Sequence, residues 1–306
     1  MELILIIIAA FFCLFLLFFS VLAAYVVHPR RHTPEICRRT EERHGMFGDF
    51  DSLSSISYLI TSHDGYQLHT QYFPAPNASS QYVILSHGYT YTRYGGVKYV
   101  HLFRRLGYNC IIYDNRGHGE NVRTKCTLGL HESRDLIAVI DDTYRRYGRD
   151  IYLGLHGESM GSALQITALK YHPDIKFIVN DCGFADLCGV LCHKVKVDFH
   201  LPGWVVYPAS VMSRILFGYA FTDVRPIDSL RENTTVPICF VHGLADNFIT
   251  PDHSRRMHEA TGAYSELHLF PDADHARCLK TDPAKYIQML SDFLTAIEGK
   301  DPGKTQ

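Results

Sequence analysis

The chain has 306 residues, of which 46% are hydrophobic and 20% are charged, and its formal net charge is −2. This composition is ordinary for one globular domain of about 250 residues together with an additional segment. The lack of a basic excess argues against nucleic acid as a partner.

The additional segment is an uncharged apolar run over residues 3–27. A helix of about 20 residues crosses a bilayer at ~1.5 Å per residue, so the run predicts a transmembrane anchor over residues 1–27. A cleaved signal peptide is the alternative, with a weak cleavage pattern at residues 21–23. Such a peptide normally has a positive charge before a shorter apolar region of about 7–15 residues. Glu2 is the only charged side chain before this run, so the anchor is favoured.

Charges after the run bear on the orientation of the protein in the membrane. Five arginines follow closely: Arg30, Arg31, Arg38, Arg39 and Arg43. By the positive-inside rule they predict a single-pass membrane protein with a cytoplasmic catalytic domain. Nine cysteines, an odd number, do not resemble a disulfide framework. Glycosylation tripeptides at Asn77 and Asn233 favour the extracellular face instead, so both faces stay open.

The order of predicted elements indicates an α/β fold. Residues 28–54 are polar and predict a juxtamembrane linker; a hairpin is predicted around Asp64-Gly65, and strands then alternate with helices over residues 55–298. This alternation predicts a mostly parallel sheet covered by helices on both faces. Residues from about 184 to 231 break the alternation and predict an inserted helical cap. Residues 299–306 form a polar tail.

The sequence GESMG at residues 157–161 joins a predicted strand to a predicted helix. Such a tight connection strains its central residue and requires small neighbours, which is the G-x-S-x-G nucleophile elbow. The pattern also arises by chance in roughly one chain in ten of this composition. Ser159 is therefore a candidate nucleophile whose assignment depends on a base and an acid elsewhere in the chain.

Candidate partners of Ser159 follow the ends of later predicted strands. Asp246 follows the strand in VPICFVHG, and His275 follows the strand in ELHLFP. The carboxyl ends of parallel strands meet at the edge where ligands bind, so the three residues predict a Ser-Asp-His triad. Asp181, at the end of an earlier strand, is the alternative acid. The expected oxyanion donors are the N–H of Met160, next to the nucleophile, and the N–H of Tyr89.

Five motifs then carry a family resemblance: HGY at 87–89, DNRGHG at 114–119, GESMG at 157–161, GLAD at 243–246 and DHA at 274–276. With them, residues 55–298 resemble the α/β-hydrolase superfamily. More narrowly, the chain is similar to membrane-anchored bacterial serine hydrolases of the serine-aminopeptidase-like and cinnamoyl-esterase-like branches. The resemblance implies a Ser-Asp-His hydrolase that needs no metal and no organic cofactor.

These observations predict a carboxylesterase-like serine hydrolase that is anchored in the membrane by its N-terminal helix. Its substrate is expected to be a small-molecule ester or a lipid-like acyl compound, cleaved through an acyl-enzyme. Amide or peptide cleavage and acyl transfer use the same residues and stay open. A catalytically silent binding or scaffold protein is the alternative from another class, and the complete triad argues against it. Cys188 and Cys192, four residues apart, are expected to face a helix interior rather than hold a metal.

Overall fold

The structure is a computed structural model that describes residues 1–298. Its strands are β1 (Ile56–Thr61), β2 (Gln67–Phe73), β3 (Gln81–Ser86), β4 (Asn109–Tyr113), β5 (Tyr152–Glu158), β6 (Phe177–Asp181), β7 (Ile238–Gly243) and β8 (Ser265–Phe270). They form one sheet in the order β1-β2-β4-β3-β5-β6-β7-β8. The two pairings of β2 are antiparallel and the remaining five are parallel, as the alternating pattern predicts.

The helices are α1 (Glu2–Val27), α2 (Pro34–Arg43), α3 (Val97–Arg105), α4 (Leu130–Tyr147), α5 (Met160–Ala168), α6 (Leu187–Phe199), α7 (Val206–Phe217), α8 (Pro226–Leu230), α9 (Asp252–Ala260), α10 (Cys278–Thr281) and α11 (Pro283–Glu298). Two apolar clusters cover the two faces of the sheet. On β3, Val83 and Leu85 point into the cluster that contains α3 and α11, and Ile84 points into the one that contains α4 and α5. This side-chain alternation explains why the strand sequences are continuously apolar.

A third apolar cluster joins the cap to the N-terminal helix. It combines residues of α6 and α7 with Met160, the residue after Ser159, and with Phe19, Ala23 and Val27 of α1. These three α1 residues are buried at a spacing of four, so one stripe of the helix packs against the domain. The rest of α1 is largely exposed. It is the one helix within residues 1–298 that is long and apolar enough to cross a membrane, a test that a signal sequence also passes.

The segment expected to be a polar juxtamembrane linker, residues 28–54, is folded onto the domain instead. Thr33 caps α2 by accepting a hydrogen bond of 3.3 Å from the Ile36 N–H. Cys37, Phe47 and Phe50 are buried. These apolar side chains are separated by charged residues, so the average polarity of the segment hides them. The predicted tail at 299–306 lies outside the described residues.

Candidate active site

The connection from β5 to α5 holds Ser159 in a strained backbone conformation. Its φ is +57° and its ψ is −117°, a backbone conformation that residues other than glycine rarely adopt. A Cβ on Gly157 would lie 2.5 Å from the carbonyl carbon of Gly161, and a Cβ on Gly161 would overlap the carbonyl of Ser86. Both glycines are therefore required for the strand and the helix to approach each other, and the serine is left at the sheet edge.

The structure brings Ser159, His275 and Asp246 together. The Nε2 atom of His275 lies 2.9 Å from the Oγ atom of Ser159, and its Nδ1 atom lies 2.7 Å from Oδ2 of Asp246. The other carboxylate oxygen of Asp246 accepts hydrogen bonds of 2.9 Å from the N–H groups of Phe248 and Ile249. The loop thus fixes the carboxylate, the carboxylate orients the imidazole, and the imidazole contacts the serine hydroxyl.

A second histidine, which the sequence analysis did not identify, also contacts the Asp246 carboxylate. His242 is fully buried, with Nε2 3.2 Å from Oδ2 of Asp246 and Nδ1 2.7 Å from the hydroxyl of Ser254. Burial alone would raise the pKa of Asp246, but hydrogen bonds from His242 and His275 outweigh it and hold the pKa well below its usual range. In the sequence, the feature that marks this residue is its position near the end of β7, four residues before Asp246.

Asp181, the alternative acid, is placed differently. Its carboxylate accepts hydrogen bonds from the hydroxyls of Tyr99, at 3.0 Å, and Tyr286, at 2.9 Å. Burial raises its pKa to about 6. Its backbone carbonyl accepts the N–H of Ser159 at 2.8 Å. Among residues 1–298, no hydrogen bond joins the Asp181 carboxylate to His275.

The loop that carries Tyr89 lies directly against Ser159. A Cβ built on Gly88 would lie 3.4 Å from the Cβ of Ser159. Nε2 of the buried His87 accepts the Asn115 N–H at 2.9 Å, so Nδ1 carries the proton that it donates to the Gly88 carbonyl at 2.8 Å. Within the described part of the chain, neither the Tyr89 N–H nor the Met160 N–H donates to a protein group. Both amides are thus available to an oxyanion.

Two cavities meet at Ser159. The first, the apolar cavity, has a volume of about 450 Å³ and is lined by Phe18, Leu22 and Tyr25 of α1, Leu187, Val190 and Leu191 of α6, and Ser159 and Met160. The second, the polar cavity, has a volume of about 470 Å³ and is lined by Glu41, His44, Lys98, Glu158, His275 and Arg277. Tyr89 and Phe248 line both. Ser159 therefore lies between an apolar cavity and a charged one.

Two groups of side chains have the spacing of metal ligands. Cys182 lies close to Asp246 and His275, but burial raises the pKa of its thiol well above the usual range, which disfavours the thiolate that a metal would need. Asp64 and Asp135 form the other group with His63, and both of these carboxylates accept hydrogen bonds from Arg116. Each group thus already has a partner or a role within the protein.

A strained serine after the central strand, an imidazole at hydrogen-bond distance and a buried carboxylate on this sheet define an α/β-hydrolase, and the chain is a serine hydrolase. The profile of the prolyl oligopeptidase family matches residues 97–300, and the chain belongs to that family. It is 28% identical over 265 residues to the uncharacterized protein YqkD of Bacillus subtilis, covering 85% of each chain.

Two solved structures share the fold. The esterase Pf2001 of Pyrococcus furiosus superposes with a TM-score of 0.69 at 22% identity, covering 88% of this chain and 99% of the esterase. The acylaminoacyl peptidase of Pyrococcus horikoshii superposes with a TM-score of 0.62 at 15% identity, covering 81% of this chain and 42% of the peptidase. At these identities the likeness is one of fold.

Proposed function

We propose that the protein is a membrane-anchored carboxylesterase in which Ser159 is the nucleophile, His275 the base and Asp246 the residue that orients it. Its catalytic domain spans residues 55–298, with a cap at about 184–231. The observation that carries the proposal is the apolar cavity that ends at the Ser159 hydroxyl, because such a cavity fits the acyl chain of an ester.

The reaction follows from the hydrogen-bond chain. His275 accepts the proton of the Ser159 hydroxyl as Oγ attacks the ester carbonyl carbon, and the negative oxygen is received by the Tyr89 and Met160 N–H groups. When this tetrahedral intermediate collapses, the bond to the alcohol oxygen breaks and that oxygen takes the proton from His275. The product that stays on Ser159 is an acyl-enzyme. Water then attacks the acyl carbon, gives a proton to His275, and releases the carboxylic acid and the serine hydroxyl.

Cleavage of peptides is the second candidate, and the family name and the polar cavity favour it. Lys98, Glu158 and Arg277 line that cavity, and their charges would suit the polar groups of a peptide better than a simple alcohol. The same serine and histidine would perform the chemistry, so the two candidates differ in the leaving group that the polar cavity accepts.

Labelling and kinetics test the proposal and separate the candidates. A fluorophosphonate probe should label the full chain in detergent and fail to label Ser159→Ala. We then expect p-nitrophenyl esters from acetate to dodecanoate to be hydrolysed with a maximum at medium chain length. Faster cleavage of an acylated peptide anilide than of every ester would replace the esterase with a peptidase.

We further propose that α1 anchors the protein and that the arginines after it place the catalytic domain in the cytoplasm. Protease digestion of sealed inverted membrane vesicles should then remove the catalytic domain, whereas protection from the protease would assign the domain to the opposite face.

A further inference from the structure

The cap helix α7 has an unusual distribution of side chains. Its buried side consists of Val206, Ala209, Ser210 and Ser213, which are small or polar apart from the valine. Its outer side carries large apolar residues that are between 50% and 68% exposed, namely Tyr207, Val211, Ile215 and Leu216, and Trp204 lies just before the helix with 59% exposure. A helix on a water-exposed surface normally has the reverse arrangement, with its polar residues outward.

The outer face of α7, by which we mean Trp204, Tyr207, Val211, Ile215 and Leu216, belongs to a helix that packs against the N-terminal helix through its other side. Ala209 of α7 and Ala23 of α1 belong to the same buried cluster, and small residues at a helix contact are typical of helices that meet inside a membrane. At one end of α7 the ring of Phe217 lies 5.3 Å from the ring of His28, the first residue after α1. The helix that carries the face is therefore in contact with the segment that is itself apolar enough for a bilayer.

The length of α1 indicates how deep this contact lies. The part that precedes Phe18, residues 3–17, is about 22 Å long at ~1.5 Å per residue, whereas a hydrocarbon core is about 30 Å thick. The remaining ~8 Å must be crossed by the part of α1 that packs on the cap. A spanning α1 thus draws the cap into the leaflet in which the helix ends.

We propose that the outer face of α7 is immersed in the acyl chains of that leaflet, and that the apolar cavity receives acyl esters directly from the bilayer. This inference rests on the proposed anchoring and ester hydrolysis. The occupant of the face is lipid, because α1 contacts the same cap and lines the same cavity through Phe18, Leu22 and Tyr25. The one charged side chain on α7, Arg214, is paired with Asp223 at 2.5 Å.

The chain contains its own reporter, since Trp204 is its single tryptophan. In the full chain reconstituted into phosphatidylcholine vesicles, we expect lipids brominated on their acyl chains to remove most of the Trp204 emission and aqueous iodide to leave it unchanged. Quenching by iodide without quenching by the brominated lipids would place the face in water and overturn the proposal. Protection from both quenchers, with cross-linked dimers, would overturn it in favour of a second copy.

A matched pair of variants tests the route of the substrate. Val211 lies on the outer face of α7 but does not line the apolar cavity. Val122 is the control, because it is also an exposed valine, 76% exposed, and lies outside α7. Val211→Glu should lower hydrolysis of a dodecanoyl ester dissolved in phosphatidylcholine vesicles by about tenfold or more, because a carboxylate is costly among acyl chains. Val122→Glu should leave it unchanged.

The same variants distinguish this inference from the proposed function. Hydrolysis of water-soluble p-nitrophenyl butyrate and labelling of Ser159 by a fluorophosphonate should be equal in both variants and in the unchanged chain. Equal rates of ester hydrolysis in vesicles by Val211→Glu and Val122→Glu would overturn the proposal that the substrate enters from the membrane. They would not contradict the proposed esterase activity. If Val211→Glu lost butyrate hydrolysis as well, its fold would be impaired, and the quenching of Trp204 in the unchanged chain would decide.

Discussion

The hydroxyl of Tyr89 donates a hydrogen bond of 2.7 Å to the backbone carbonyl of Val26. The neighbouring carbonyl of Val27 accepts the N–H of Cys126 at 2.9 Å. The last carbonyls of a helix have no partner within the helix, so the domain completes the end of α1. The loop expected to bind the oxyanion is thereby connected to the N-terminal helix.

This connection predicts that two N-terminal truncations behave differently. Removal of residues 1–17 keeps the part of α1 that lines the apolar cavity, so hydrolysis of p-nitrophenyl octanoate in detergent should stay within about twofold. Removal of residues 1–27 also deletes the buried Phe19, Ala23 and Val27. Loss of a large buried side chain costs about 3–5 kcal/mol for a residue such as Phe19. The shorter chain should therefore melt at lower temperature and lose octanoate hydrolysis, and identical behaviour of the two truncations would show that α1 is dispensable.

Asp246→Asn should lower kcat by about 10⁴-fold, because the amide favours the wrong imidazole tautomer. Asp181→Asn is the matched control, since its carboxylate contacts Tyr99 and Tyr286 instead of His275. We expect that control to retain ester turnover within about tenfold. Steady-state kinetics with p-nitrophenyl butyrate measures both. A larger loss in Asp181→Asn, in a variant that remains folded, would transfer the orienting role to Asp181.

Gly157→Ala should prevent correct folding, because its Cβ would lie 2.5 Å from the backbone of Gly161 and Ser162. Neither contact is the end of a flexible side chain, so the strand and the helix would have to separate. Gly262→Ala is the control, because the closest atom to its Cβ would be 3.4 Å away. Thermal unfolding and the yield of soluble protein in detergent compare the two. A Gly157→Ala variant with normal melting and turnover would contradict the tight elbow.

Buried histidines predict that acid destabilises the fold. Burial lowers the pKa of His87 and His253 to about 4 and that of His118 and His156 to about 3. In the unfolded chain a histidine titrates near about 6.5. Between these values the unfolded state binds protons that the folded state does not, so the free energy of unfolding decreases as the pH falls from about 6.5 toward 4.

Each such histidine contributes about 1.4 kcal/mol per pH unit within that window. Asp181 acts in the opposite direction over part of it, because its raised pKa lets the folded state hold a proton that the unfolded state releases. The four histidines outnumber this carboxyl, so unfolding takes up protons over the window. Urea titrations at several pH values should show that the urea concentration at the unfolding midpoint decreases once the pH is below about 6. A midpoint that stays constant down to about pH 4.5 would contradict the neutral burial of these residues.

The sequence predicts the parts of the molecule that depend on short, local patterns. Gly157 and Gly161 mark the elbow because only glycine fits there, and Asp246 and His275 follow strands whose ends must meet at one edge. The packing of residues 28–54 cannot be predicted in this way, because Phe47 and Phe50 lie among mostly polar neighbours and show no helical or strand periodicity. The stripe of Phe19, Ala23 and Val27 cannot be recognised in the sequence either, since nearly all of its neighbours in α1 are also apolar. His242 acts through a contact that only the folded chain creates.

The meeting of the apolar and polar cavities at Ser159 has a consequence for the fate of the products. If the acyl group occupies one chamber and the leaving group the other, each product has its own exit. The alcohol departs first, toward the polar side, while the carboxylic acid remains in the apolar chamber until it is released. A fatty acid should then compete with the ester for the free enzyme. The concentration of liberated acid around the enzyme, more than that of alcohol, would set how long hydrolysis continues.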